Sequence, residues 1–147
     1  MHQLDADPGL RNLRRATSTD LTTATSFKND VLPIFVQSCA FTSCHGASSG
    51  GNNGVKLGSK TEPNDASALR ANIVGVKAPE LPTMNFVTPN DAAQSYLMRK
   101  LDGDNCKLDA QCAKASCLST MPQGGDLLPV ATRDKVRRWI AQGAPDN

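Results

Sequence analysis

The stretch Cys39-Ala40-Phe41-Thr42-Ser43-Cys44-His45 decides how this chain is interpreted. Four residues separate the two cysteines, and a histidine directly follows the second one. On cysteine spacing alone, Cys39 and Cys44 fit either a structural disulfide or half of a zinc or iron–sulfur site. The histidine beside the second thiol adds an imidazole at a fixed place along the chain, and this combination favours a further interpretation.

A cysteine directly followed by a histidine is typical of covalent haem attachment. Each thiol adds to one vinyl group of the haem and forms a thioether, and the adjacent imidazole binds the iron as its proximal ligand. The usual motif has two residues between the cysteines, and a bulged loop can absorb the two extra residues found here. The stretch therefore predicts one haem c, attached through Cys39 and Cys44. We expect His45 Nε2 to bind the iron while Nδ1–H donates to a loop carbonyl.

The composition is that of one small domain with many turns. The 147 residues include 11 glycines and 9 prolines, and only 4% are aromatic. This is little apolar surface for a core without a cofactor. The net charge of +2 is too small to favour nucleic acid as a partner, and no run of 18 apolar residues predicts a transmembrane segment.

The cysteine content predicts an oxidising compartment. Five cysteines in so short a chain are unusual in a reducing cytosol, so we expect a periplasmic or otherwise exported bacterial protein. Met1 to Leu10 contains two aspartates and no apolar segment, which is not the pattern of a signal peptide. We interpret the chain as a form from which the export signal has been removed.

The polar residues 1–25 predict a flexible tether that precedes a domain at 26–147. Such a tether would lead to a lipid anchor upstream of residue 1 or to a neighbouring domain, although a frayed terminus fits equally well. No strand pattern of useful length is present, so the fold class is all-α. Predicted helices run from Ser26 to Cys39, from Asp65 to Ile73, from Pro89-Asn90-Asp91 through Leu101, and from Thr132 to Gln142 with Gly143 as the stop.

Further short motifs follow in a fixed order along the chain. They are Pro33-Ile34, Cys44-His45-Gly46, Pro89-Asn90-Asp91 with Ser95-Tyr96-Leu97, Met121-Pro122, and Trp139-Ile140 with Gly143-Ala144. In this order, residues 26–146 resemble a class I-like monohaem c-type cytochrome domain of the exported or lipoprotein variety. The resemblance implies a cytochrome c-like fold with long loops, in which the first and last helices pack around one covalently bound haem and a methionine caps its distal side. The four-residue cysteine spacing and the cysteines at 106–117 depart from the family pattern.

Met121 is the predicted sixth ligand of the iron. A thioether is a soft, neutral ligand that favours ferrous iron, and Pro122 stiffens the loop that carries it. Met84 lies in another proline-flanked loop and is the alternative ligand. Met98 falls within a predicted helix, where packing is the usual role of a methionine.

The remaining three cysteines predict one disulfide. An oxidising compartment favours a bond that pins the loop leading into Met121, and Cys117 is the expected partner because it lies closest to that loop. The other partner is either Cys106 or Cys112, and the third thiol would be buried, free or used between chains.

The last predicted helix is strongly basic, since it carries Arg133, Lys135, Arg137 and Arg138. These cations would either steer an acidic redox partner or form an ordinary solvated helix face. On the apolar side of the same helix, we expect Trp139 to pack against Phe35.

These expectations favour an electron-transfer protein with His/Met ligation that is not an enzyme and serves redox partner proteins. The alternative is a haem enzyme or gas sensor with an open or displaceable sixth position. It would need a distal base or cation, and the spare candidates are His2 and Arg99. A third hypothesis is a binding module held by disulfides and free of haem.

Overall fold

The described part of the chain, residues 21–46, 51 and 53–147 of this computed structural model, consists of short helices joined by long loops. A π-helical turn at Phe27–Val31 continues into α1 (Leu32–Ser38), followed by α2 (Ala66–Ala71), α3 (Tyr96–Asp102), a 3-10 helix (Asn105–Gln111) and α4 (Val130–Ala141). Within these residues there is no β-strand, only three isolated bridges. The predicted all-α class is therefore confirmed at this level, whereas the cytochrome c-like arrangement stays a prediction.

The first helix begins where its capping signal predicts. The hydroxyl of Ser26 accepts a hydrogen bond from the backbone N–H of Asn29, and the Asp30 carboxylate accepts one from the N–H of Ser26. In the π-helical turn, the N–H of Leu32 donates to the carbonyl of Phe27, five residues earlier. This wider turn admits Pro33, which has no N–H and whose ring would clash with the carbonyl four residues back in a regular α-helix.

The prediction that a helix opens at Pro89 is wrong by about two turns, because α3 begins at Tyr96. Asn90 has a positive φ of 67°, and its N–H donates to the carbonyl of Ile140 at the end of α4. The segment before α3 is therefore held by a tertiary contact and does not form a helical turn. Ser95 completes the turn, since its hydroxyl donates to the carbonyl of Asp91.

The two ends of the described chain meet in an aromatic cluster. Trp139 of α4 stacks on Phe27 with 5.0 Å between ring centroids, and Phe27 meets Phe35 edge to face at 6.2 Å. Val136, Trp139 and Ile140 form the fully buried side of α4. Phe35, the expected partner of Trp139, belongs to the same core cluster, and Phe27 makes a ring contact with each of them.

The contacts of the domain reach upstream of the boundary predicted at residue 26. Gln142 accepts a hydrogen bond from the N–H of Thr25 and donates to the carbonyls of Leu21 and Thr23. Residues 1–20 of the predicted tether, with His2, lie outside the described residues. None of the helices in the described ranges has the length and apolar character needed to cross a bilayer.

Most of the basic side chains of α4 are used inside the fold. Asp102 at the end of α3 accepts hydrogen bonds from Arg133 at 2.8 Å and from Arg137 at 2.8 and 2.9 Å. Arg138 donates to the hydroxyl of Thr25, and Lys135 is the one exposed cation of the predicted basic set. These internal contacts explain the arginines of α4, and no docking partner is needed to explain them. An acidic redox partner stays a prediction.

Asp102 is the charged link between α3 and α4. Partial burial alone would raise its pKa, but the hydrogen bonds and charges of Arg137 and Arg133 outweigh this effect and hold the pKa below its usual range. A carboxylate with a lowered pKa stabilises the folded state above the pKa of the unfolded chain. That contribution is lost as pH falls through the folded-state pKa.

Asp102→Asn should lower the free energy of unfolding at neutral pH by about 1–3 kcal/mol, because it removes the charge from a pair of arginine contacts. The difference from the parent protein should shrink below about pH 3.9, where the unfolded carboxyl becomes protonated. Denaturant unfolding at several pH values measures both effects. Asp134→Asn is the control, because Asp134 meets Arg137 only within one helix at 3.3 Å and should cost about 0.5 kcal/mol or less. Equal losses of unfolding free energy in the two variants would contradict the role of Asp102 as the charged link between α3 and α4.

Candidate cofactor site

The four residues predicted to hold a cofactor, Cys39, Cys44, His45 and Met121, line the same pocket. The pocket has a volume of about 150 Å³ and is partly open to solvent. Its walls include the apolar side chains of Val55, Leu57, Phe86, Leu97 and Leu101. The structure thus brings together a pair of thiols, an imidazole and a thioether from two distant parts of the chain.

The loop from Cys39 to Gly46 folds back on itself, which accommodates the four residues between the two cysteines. The N–H groups of Cys44 and Gly46 both donate to the carbonyl of Phe41, and the N–H of His45 donates back to the carbonyl of Cys39. The chain therefore returns to its starting point before His45, and both thiols and the imidazole reach the pocket. A Cβ on Gly46 would lie 2.1 Å from the carbonyl oxygen of Ala40, so this close return requires glycine.

The ring of His45 is oriented by a hydrogen bond of the expected kind. Its Nδ1 lies 2.8 Å from the carbonyl oxygen of Val55, which assigns the proton to Nδ1 because a carbonyl can only accept. Nε2 has no hydrogen-bond partner among the described residues. In this tautomer Nε2 is the nitrogen that can bind a metal, and the Nδ1 hydrogen bond fixes the orientation of the ring.

Cys39 and Cys44 are free thiols in the structure. Burial raises the pKa of Cys39 to about 12, with a further contribution from neighbouring Cys44 that the charge of Lys60 opposes. The disulfide considered for this pair on sequence grounds is absent from the structure, while the thiols share the pocket.

Met121 is the methionine that reaches the pocket. Its N–H donates to the carbonyl of Lys100 in α3 at 3.1 Å, which fixes the loop backbone at the point where the side chain leaves it. Met98 is buried in the core and Met84 packs against the core from outside, and neither lines the pocket. Among the described methionines, the geometry favours Met121 over Met84 as the ligand.

The disulfide joins Cys112 to Cys117, with 5.4 Å between their Cα atoms. Cys117 is therefore one partner, as predicted, and the bond closes the loop just before Met121. Cys106 is the remaining thiol, and it is exposed.

The sequence interpretation missed three polar residues in the pocket wall, Glu80, Tyr96 and Lys100. The ammonium of Lys100 lies 2.8 Å from the carboxylate of Glu80, to which the hydroxyl of Tyr96 also donates. Burial, followed by the hydrogen bond and charge of Glu80, raises the pKa of Tyr96 above its ordinary value. Tyr96 and Lys100 are four positions apart in the sequence, which already places both on one face of a helix. Nothing in the sequence around Glu80 points to the site.

Arg99, the other distal candidate, is placed away from the pocket. It forms an ion pair with Asp104 at 3.2 Å and donates to the carbonyl of Ala93, and it does not line the pocket. Across the described ranges, no group of three or more His, Cys, Asp or Glu side chains could hold a metal ion. Zinc held by protein ligands alone needs such a group, whereas haem iron needs only axial protein ligands because the porphyrin supplies the others.

Comparisons with protein-family models, curated proteins and solved structures gave no match to this chain. The resemblance to c-type cytochromes therefore depends on the motifs quoted above, and the family stays a prediction.

Gly46→Ala should lower the free energy of unfolding by about 1–3 kcal/mol, because the new methyl group would collide with the backbone of Ala40. Denaturant unfolding measures the loss. Gly125→Ala is the matched control, since a Cβ there meets nothing within 4 Å and its φ is not positive. If both variants were equally stable, the close return of the loop at Gly46 would be disproved.

In protein with both thiols free, Cys39 should react slowly with iodoacetamide, because the thiolate is the reactive form and burial disfavours it. Its alkylation rate should still be rising at about pH 10, well beyond the ordinary thiol pKa of about 8.5. Tandem mass spectrometry of tryptic peptides, which separates Cys39 from Cys44 in their shared peptide 29–56, follows Cys39 and the exposed Cys106 in one sample. A rate for Cys39 that levels off near that ordinary value would contradict its burial.

Proposed function

We propose that this chain is a monohaem electron-transfer protein of the periplasm or cell exterior. One haem c would be attached through Cys39 and Cys44, with His45 and Met121 as its axial ligands. The observation that carries the proposal is the convergence of these four side chains on one pocket with apolar walls. The sequence motifs and the family resemblance predict the same four residues.

The donor set suits a haem iron. Cys39 and Cys44 supply the thiols for two thioether bonds, His45 presents an unprotonated Nε2, and Met121 supplies a soft sulfur ligand. A bound haem would supply a one-electron couple between ferrous and ferric iron. The residues of the chain would set its potential: the thioether favours ferrous iron, and the hydrogen bond from His45 to Val55 makes the imidazole a better donor.

An electron carrier is favoured over a haem enzyme or gas sensor by the lining of the pocket. An open-site enzyme needs a free distal acid, base or cation. Among the described lining residues, His45 is the only histidine and there is no arginine. The remaining ionisable groups of the wall, Glu80, Tyr96 and Lys100, are bonded to one another. A carrier needs no such group, because it makes and breaks no covalent bond in its substrate.

The cysteine chemistry supports export as part of the proposal. A disulfide between Cys112 and Cys117 persists in an oxidising compartment and is rare in a reducing cytosol. We infer that the redox partners are proteins of the same compartment.

The visible spectrum of the purified protein, made in a host that attaches haem c and exports it, tests the proposal. We expect a Soret band, sharp low-spin bands after reduction, and the weak far-red band of methionine-bound ferric haem. Met121→Ala should abolish the far-red band and lower the reduction potential while the Soret band remains, because a thioether ligand raises the potential. Met84→Ala is the control and should keep the band.

Each alternative gives a distinct result in the same experiment. A high-spin ferric spectrum would favour the open-site enzyme or sensor. Loss of the far-red band in Met84→Ala alone would move the ligand to Met84. With no Soret band at all, the haem proposal fails, and the binding module held by disulfides becomes the better hypothesis.

A further inference from the structure

The ammonium group of Lys100 is buried beside the pocket, with the residue only 4% exposed. It lies 2.8 Å from Glu80 Oε2, donates to the carbonyl of Ser119 at 2.8 Å and donates to the carbonyl of Cys117. An ammonium has three N–H donors, so all of them are used. Lys100 is therefore a fixed cation with no donor left to bind a ligand in the pocket.

The carbonyls that surround Lys100 belong to the segment between the disulfide and Met121. The carbonyl of Cys117 also accepts from Nδ2 of Asn105 at 3.3 Å. Nδ2 of Asn105 donates in addition to the carbonyl of Leu118 at 2.9 Å. Three consecutive carbonyls, 117 to 119, are thus held by side chains of α3 and of the 3-10 helix.

The main chain of Lys100 holds the same segment at its other end. Its carbonyl accepts the N–H of Met121 at 3.1 Å, so one residue fixes the loop both before and at the methionine. A loop held in this way needs little further ordering to present its side chain to the pocket.

From this geometry we propose that Lys100 is the positioning residue of Met121, acting with Tyr96 and Glu80. The inference rests on the proposed function, because it concerns the sixth ligand of the haem. Glu80 neutralises the buried cation, and the ammonium of Lys100 donates hydrogen bonds to the carbonyls of Cys117 and Ser119. Lys100 is not a ligand itself; it sets the path of the loop that carries Met121.

Lys100→Leu in the haem-loaded protein is the test. The substitution keeps an apolar side chain without a thioether and removes every N–H donor, so the carbonyls of 117 and 119 lose their shared partner. The far-red band of the ferric protein, relative to the Soret band, should fall by about half or more, and the reduction potential should fall with it. Hydrogen exchange at the amide of Met121 should become faster in the same sample.

Lys107→Leu is the matched control. It makes the same chemical change, with the same loss of charge, at an exposed lysine of the 3-10 helix that lies outside the pocket lining. The far-red band, the potential and the exchange rate at Met121 should all stay at the parent values. A shift of equal size in both variants would overturn the proposal, because net charge would then explain it.

A milder variant keeps the proposal testable if Lys100→Leu does not fold. Tyr96→Phe removes the hydroxyl that donates to Glu80, the anion paired with Lys100, and keeps the buried ring, so it should weaken the far-red band to a smaller extent. An unchanged far-red band and unchanged exchange at Met121 in a folded variant, whether Lys100→Leu or Tyr96→Phe, would overturn the positioning role. A parent protein without a Soret band would instead overturn the proposed function, so the two failures are distinguishable.

Discussion

The arrangement of the pocket wall depends on one constraint, the need to compensate the buried charge of Lys100. A desolvated ammonium destabilises a fold unless an anion and further acceptors surround it. Glu80 provides the anion and satisfies one N–H donor, so the remaining donors require acceptors from elsewhere. The backbone carbonyls of Cys117 and Ser119 meet that need, and in doing so they bring the segment before Met121 against α3.

The disulfide and the polar contacts act on the same short segment. A bond between Cys112 and Cys117 closes such a small loop that restricting the unfolded chain contributes only about 2 kcal/mol. Its larger effect is to fix where the carbonyl of Cys117 lies. The N–H of Cys117 donates to the carboxylate of Asp109, and the N–H of Ala113 donates to the carbonyl of Glu80. The loop is therefore joined to both partners of the buried ion pair, and its position is set before any cofactor is considered.

The sequence predicted the features that local chemistry determines. Ser26 and Asp65 cap their helices because short polar side chains reach the backbone N–H groups that follow, and Gly143 ends α4 because its φ of 98° suits glycine. What escaped prediction depends on residues distant in the chain. The turn at Asn90 is held by Ile140, and the role of Lys100 depends on Glu80, twenty residues away in sequence. No pattern in a single sequence reports such pairs, since helical periodicity gives the face of Lys100 but not its partners.

The distribution of the aromatic side chains connects the composition to the pocket. The chain has six aromatic residues, four Phe, one Tyr and one Trp. Phe27, Phe35 and Trp139 form the cluster that joins the first and last helices, and Phe41, Phe86 and Tyr96 line the pocket. Half of the aromatic residues therefore line a site that also contains two thiols, an imidazole and a thioether. Phe41 remains 49% exposed and lies between the two cysteines in the sequence. Under the proposed function, a flat apolar group bound through those cysteines would cover it. In a chain with so few aromatic residues, covering that surface would complete a core that the side chains alone leave small.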